Sequence, residues 1–177
     1  MGTMSNWYMR SEMLSYLGRL SRSLPSLRIL IVTHEDHAVL RQDAMTAGVP
    51  AAALVVLQAD FDEMPRYTTL FDVGLFFIRS AFSKRASSAT KLAEFLACGV
   101  PVVINDGVGD SGAIVRDHGV GVVLPALDDV AFASSLPQVQ GLLGDSALRD
   151  RCRKAAGELF DIEDGCDRYR ALYQRLE

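Results

Sequence analysis

Residues 87–103 run from a hydroxyl-rich start through one helix to a glycine stop and straight into an apolar strand, and no other stretch restricts the fold as much. Ser88, or Ser87, has the side-chain oxygen that accepts from the free N–H groups of a first helical turn. Those same N–H groups, with the helix dipole behind them, form a seat for a phosphate. Glu94 follows Thr90 by four residues and Lys91 by three, so the three side chains share one helix face. Leu92, Phe95 and Leu96 turn the other way, toward a core. Gly99 supplies the left-handed stop, and Pro101 bars continuation before Val102 and Val103 open a strand. An acid a short way along the helix from a phosphate seat suits a ribose, whose hydroxyls donate to a carboxylate.

The remainder alternates in the same manner, as a parallel α/β sheet requires. Helical periodicity over residues 7–23 sets Met13, Leu14, Leu17 and Leu20 on an inner face, with Pro25 beyond the end. Residues 28–33 are a near-continuous apolar, β-branched run of the kind found in buried parallel strands. A helix over 37–47 closed by Gly48, a strand over 53–57, a short helix over 63–70 and a strand over 72–78 follow. After the 87–103 unit come a loop over 105–111, a short helix over 113–117 and a strand over 120–124. The rest is helical, with one apolar stripe of Leu148, Cys152, Ala155, Ala156 and Leu159 and another of Tyr169, Leu172, Tyr173 and Leu176.

The 87–103 run resembles the donor-site segment of retaining glycosyltransferases of GT-B architecture. Their pattern is Ser-Pro-x-Lys-hydrophobic-x-Glu-hydrophobic-hydrophobic-Ala-x-Gly-x-Pro-Val-Val. Ala89 stands where proline is frequent. Ala86 stands eight positions before Glu94, where the family often carries a first acid near the transferred sugar. Trp7-Tyr8-Met9 with Glu12-Met13-Leu14 is similar to the first helix of the same domain, so the resemblance covers about residues 2–123. It implies an α/β fold: a Rossmann-like parallel sheet of five or six strands with helices on both faces. The whole of residues 1–177 is then a single domain, the C-terminal, donor-binding half of an enzyme whose N-terminal acceptor half is absent from this sequence.

The implied activity is transfer of a sugar from a nucleotide diphosphate sugar, with retention, no cofactor and no obligate metal; the half alone is expected to be inactive. Glu94 would hold ribose hydroxyls. Ser87, Ser88, Thr90 and the local N–H groups would face the diphosphate with Lys91, and Gly2-Thr3 resembles the loop whose amides meet phosphate. Only Met1 precedes that loop, whereas the family has a strand there. The strands over 28–33 and 72–78 are therefore expected to pair directly into a five-stranded sheet. The alternatives are half of a nucleotide-sugar epimerase, which would want a histidine near the motif helix, and a non-catalytic nucleotide-binding or partner domain, which Ala86 favours.

Other candidates are weaker. Arg79, Lys84 and Arg85 lie in the loop between a strand's carboxyl end and the motif helix, where open α/β sheets bind ligands, and Arg79 and Lys84 are candidates for neutralising a departing diphosphate. Gly107-Val108-Gly109-Asp110 lacks the spacing of a dinucleotide fingerprint and reads as a loop at the cleft rim. His34 and His37 bracket Glu35-Asp36 with poor metal spacing, so that loop is expected to be solvated and no metal site is assigned. A chain of 177 residues with 49% hydrophobic content fits one domain with a substantial core. Its net charge of −4 argues against nucleic acid as partner. No apolar run reaches membrane-spanning length, so peripheral membrane contact of the full enzyme is the remaining membrane option. The start lacks a signal-peptide layout, and three cysteines without ligand spacing suit a reducing cytoplasm.

Overall fold

Short β-branched and aliphatic runs set five strands, and amphipathic segments between them set eight helices among the described residues. The computed structural model describes residues 2–4 and 6–175, so Met1 and Leu176 fall outside it. The strands are β1 (Ile29–Val32), β2 (Leu54–Leu57), β3 (Gly74–Phe76), β4 (Val102–Asn105) and β5 (Gly121–Leu124). The helices are α1 (Arg10–Ser23), α2 (His37–Thr46), α3 (Met64–Thr68), α4 (Thr90–Ala97), α5 (Ser111–Asp117), α6 (Asp129–Gly144), α7 (Leu148–Phe160) and α8 (Ile162–Tyr173). Every ladder is parallel: β1 pairs with β2, and β4 lies between β3 and β5.

The side chains of adjacent residues in β3 and its extension show that helices cover both faces of the sheet, since successive side chains in a strand alternate sides. The Phe76 ring stacks near Phe95 of α4, with centroids 6.2 Å apart. Phe77 meets Tyr16 of α1 at 5.7 Å and Phe132 of α6 at 6.2 Å. The helix pairs α1·α6 and α4·α7 therefore occupy opposite layers. Tyr16 is fully buried, and its hydroxyl shares a 2.8 Å hydrogen bond with Ser135 of α6. The expected doubly covered, Rossmann-like α/β class is the one observed.

The direct pairing expected of the first and third strands does not form. The strands make two separate sheets, β1-β2 and β3-β4-β5. Between β1 and β3 lies a cavity of about 510 Å³, bordered by residues 28–31 on one side and 70–76 on the other. The amino-terminal segment explains the spacing, because it bridges the two sheets at their carboxyl ends. Gly2 N–H donates to the Val32 carbonyl at 2.8 Å, and Met9 N–H donates to the Phe77 carbonyl at 3.0 Å. Met13 and Tyr16 of α1 and Phe95 of α4 line the cavity from the two faces, so closing it would unseat both layers.

Some boundaries also differ. Helix α1 starts at Arg10 and not at Trp7, because Tyr8 forms an antiparallel bridge with Ile78 that keeps residues 7–9 out of the helix. At the other end of the motif unit the reading holds. Gly99 has φ 73°, its N–H reaches Leu96, and Val100 N–H returns to Phe95 at 2.9 Å. Leu148, Cys152, Ala155 and Ala156 of the expected α7 stripe are buried but Leu159 at its end is exposed, and Tyr169, Leu172 and Tyr173 are exposed, with no buried residue in α8. Among the described residues, no helix is long and apolar enough to cross a membrane.

Candidate functional site

The carboxyl ends of β1, β3 and β4 open onto one edge, and four loops meet there. Their positions follow from local chemistry. Buried Asn105 ends β4 and replaces a strand partner: its Oδ1 accepts from Ile78 N–H and its Nδ2 donates to the Ile78 carbonyl, both at 2.8 Å. That pins the residue preceding Arg79. Arg79 N–H in turn donates to the Trp7 carbonyl at 2.8 Å, which ties the loop to the amino-terminal segment.

The same edge carries the glycine-rich loop. Gly109 N–H donates to the Lys84 carbonyl at 2.9 Å. A β-carbon at Gly109 would stand 1.9 Å from the Ser87 carbonyl oxygen, and φ there is +50°, so only glycine lets the two loops close on each other. Asp106 accepts from Gly107 N–H and pairs with Arg116 at 3.0 Å; those hydrogen bonds, the Arg116 side chain first, hold its carboxyl below the usual range.

Helix α4 supplies the charged face. Lys91 reaches back over the sheet edge: its Nζ donates to the Thr3 carbonyl at 3.1 Å and lies 3.5 Å from the centre of the Tyr8 ring, a cation–π contact. Burial pushes the Lys91 ammonium down to about 8, opposed by the carboxylates of Glu94 and Glu35. Burial, and then the charge of Glu94, push the Tyr8 phenol up; the same two causes, opposed by Arg153, push up the Cys98 thiol. Glu94 itself is exposed. Glu35 accepts from the Thr3 hydroxyl and from Met4 N–H, each at 2.7 Å, and faces Arg10 at 3.6 Å.

These contacts bring Gly2, Thr3, Lys91 and Glu94 into one cluster. Arg79, Lys84 and Ser87 form a second cluster around Trp7 and Gly109, with the Lys84 Nζ 4.6 Å from the Trp7 ring centre. Arg79 is exposed. The serines do not cap the helix. Ala89 occupies the N-cap, and among the described residues no side-chain cap bond is made to the first turn. Ser87 instead ends the short 3-10 turn over residues 82–86, and Ala89 is drawn into the core, leaving Ser88 and Thr90 exposed on either side. The first turn of α4 thus keeps its N–H groups free of side-chain caps.

The sequence gives no site role to Glu35 or Asn105, and it places Tyr8 only in a helix start. Glu35 was assigned to a solvated loop, yet it anchors the amino-terminal segment, while neighbouring Asp36 caps α2 through Ala38 and Val39 N–H. Its position just past the end of β1 was the available clue. Tyr8 acquires its part from Lys91, which is distant along the chain. Among the described residues, no three His, Cys, Asp or Glu side chains group as a metal site would require.

Comparison with solved structures fits this architecture. The pneumococcal O-GlcNAc transferase GtfA, in complex with UDP and GlcNAc, superposes with a TM-score of 0.73 at 15% identity, over 95% of this chain and 33% of that one. A glycosyltransferase from Rickettsia africae ESF-5 gives 0.74 at 13% identity, over 97% and 45%. The fold is that of one half of a GT-B glycosyltransferase. AviGT4, a glycosyltransferase involved in avilamycin A biosynthesis, gives 0.70 at 18% identity over 99% of this chain and 49% of its own. The chain therefore spans a third to a half of these GT-B proteins, and at such identities the likeness is one of fold. No family model and no curated protein matches the sequence.

Proposed function

We propose that this domain is the C-terminal, donor-binding half of a retaining GT-B glycosyltransferase, which moves a sugar from a nucleotide diphosphate sugar to an acceptor held by a second, N-terminal half. The observation that carries the reading is the Lys91–Glu94 face of α4 beside an uncapped first turn, at the carboxyl ends of the strands. In this reading the exposed Glu94 carboxylate accepts hydrogen bonds from the ribose hydroxyls. Lys91 and the α4 N–H groups meet the diphosphate, with Thr90, Ser88 and the Gly2-Thr3 segment at the rim. During transfer the bond between the sugar's anomeric carbon and the phosphate oxygen breaks, and the diphosphate leaves with the electron pair. Arg79 and Lys84, on the facing loop, stabilise that growing negative charge. The acceptor's hydroxyl oxygen, held by the other half, forms the new bond to the anomeric carbon on the face that the diphosphate leaves, as retention requires, and its proton passes to the departing phosphate oxygen.

Ala86 supports a second reading, a nucleotide-binding domain without catalysis, since the residue in the place of the family's first acid has no charge to offer a transferred sugar. Both readings share the nucleotide seat, and ligand-observed NMR with nucleoside diphosphates tests it. Binding is expected to weaken in Glu94→Ala by about 1.5–3 kcal/mol, the cost of lost charge-assisted hydrogen bonds. Equal saturation transfer to both proteins would remove Glu94 from the seat.

A further inference from the structure

Helix α8 has no buried residue, and from Asp161 to Arg175 every residue except Gly165 is exposed. It has 12 residues with a glycine inside. Helices shorter than about 12–15 residues are marginal in water on their own, and glycine is a poor helix former, so packing against a further surface has to supply part of its stability. Its apolar positions have the spacing of a helix-pairing seam. Ile162, Cys166, Tyr169 and Tyr173 follow one another by four, three and four residues, the a/d pattern of a two-helix coil. Ile162 is 78% exposed, Tyr169 67% and Tyr173 68%, and Cys166 is exposed with them.

The residues beside the seam select its occupant. With Ile162 and Tyr169 at d and Cys166 and Tyr173 at a, Glu163 and Arg170 fall at e, and Gly165 and Leu172 at g. When two identical helices pair antiparallel, each flank meets the same flank of the other copy, e on e and g on g. Alignment about the midpoint of Asp167 and Arg168 sets Ile162 against the partner's Tyr173 and Cys166 against the partner's Tyr169, where sulfur meets an aromatic ring. Glu163 then lies beside the partner's Arg170, two opposite charges, and Gly165 beside the partner's Leu172, a small residue beside a large one. Symmetry repeats each match. The charges along the helix agree, since Asp161, Glu163, Asp164 and Asp167 precede Arg168, Arg170 and Arg175. A parallel pair would set like halves together and leave Arg170 beside the partner's Gly165.

We propose that α8 is a self-association surface, on which two copies of this chain pair as an isologous, antiparallel two-helix seam. The occupant of the exposed face is a second copy because the helix complements itself in charge, in size and in apolar register. The seam is short, so its area falls below the roughly 1,200 Å² of a standard interface and the dimer forms reversibly. It uses no residue of the nucleotide seat and stands independently of that reading.

The test is sedimentation equilibrium of the 177-residue chain from about 10 µM to about 1 mM, the span over which a weak interface fills. The wild-type chain is expected to pass from monomer to dimer. Glu163→Arg alone brings like positive charges together at both flank pairs, and Arg170→Glu alone brings like negative ones, so each is expected to raise the dimer Kd about tenfold or more. Tyr169→Ser, which removes a seam layer without changing charge, is expected to do the same. An equimolar mixture of the two charge variants restores opposite charges at both pairs and is expected to dimerise within about threefold of the wild-type Kd. Circular dichroism checks that each variant folds; should a single charge variant fail, the double variant Glu163→Arg, Arg170→Glu takes the place of the mixture and has to dimerise as the wild type does. The proposal is overturned by a wild-type chain that stays monomeric to about 1 mM, because the face then serves some other partner. It is equally overturned by a dimer that none of the single variants weakens, or by a mixture or double variant that dimerises no better than the single charge variants.

Discussion

At the scale of single residues, Lys91 connects most of the site. It touches Thr3 and Tyr8 and lies within the fields of Glu94 and Glu35, and burial lowers its pKa to about 8 from an ordinary 10.5. Between those two values the unfolded chain holds more protons than the folded one. Stability contributed by this group therefore rises with pH across that window. Anion binding goes the other way, since the ammonium loses its charge as pH passes about 8. Isothermal titration with a nucleoside diphosphate at pH 7 and pH 9 is expected to show weaker binding at the higher value, and Lys91→Met to bind weakly at both. A wild-type affinity that does not change across the window would separate Lys91 from the anion. Tyr8 and Glu35 show the same principle from the opposite side: each is unremarkable in sequence and acquires its role from a neighbour distant along the chain.

At the scale of elements, the motif helix and the loops around it behave as a clasp. α4 ends where Gly99 adopts a positive φ, and β4 follows at once, so the helix and strand are fixed relative to each other by local geometry. The loop over residues 79–88 is held instead by tertiary contacts to Trp7, Asp106 and Gly109. Gly109 is the tightest of these. Gly109→Ala drives a methyl into the Ser87 carbonyl from a backbone conformation that L-residues avoid, at a cost of about 1–3 kcal/mol. A fall in Tm of roughly 2–12 °C is expected by differential scanning calorimetry for a chain of this size. An unchanged melting curve would mean that the two loops do not close on each other in solution.

At the scale of the whole molecule, stability is unevenly distributed. The two packed layers converge on Tyr16, Phe77, Phe95 and Phe132, all buried, whereas α8 contributes no buried residue and exposes Ile162, Tyr169, Leu172 and Tyr173. A chain ending at Asp161 is therefore expected to keep its Tm within about 2 °C of the full chain, because surface removal away from the core changes stability by about 0.5 kcal/mol or less. A large loss on thermal melting would show that α8 packs on the domain in solution.

The sequence by itself determined what depends on neighbours a few positions apart. Apolar periodicity located the inner face of α1 and the buried stripe of α7, and β-branched runs located all five strands. The order Thr90, Lys91, Glu94, Gly99, Pro101 specified a helix with a charged face, its stop and the strand after it. These features are set by steric and hydrogen-bonding preferences within one or two turns of chain, so they can be read along it. Only the tertiary structure decided which distant groups meet. Lys91 on Thr3, Asn105 on Ile78 and Tyr8 against Ile78 each join residues far apart in sequence, and no local rule selects them. The serines lost their capping role because Ala89 was drawn into the core. The sheet stayed divided because Gly2 bonds β1 and Trp7 and Met9 bond the β3 extension while α1 and α4 hold the layers apart: pairing between strands is decided by the space that the packed helices leave, and not by the residues of the strands alone.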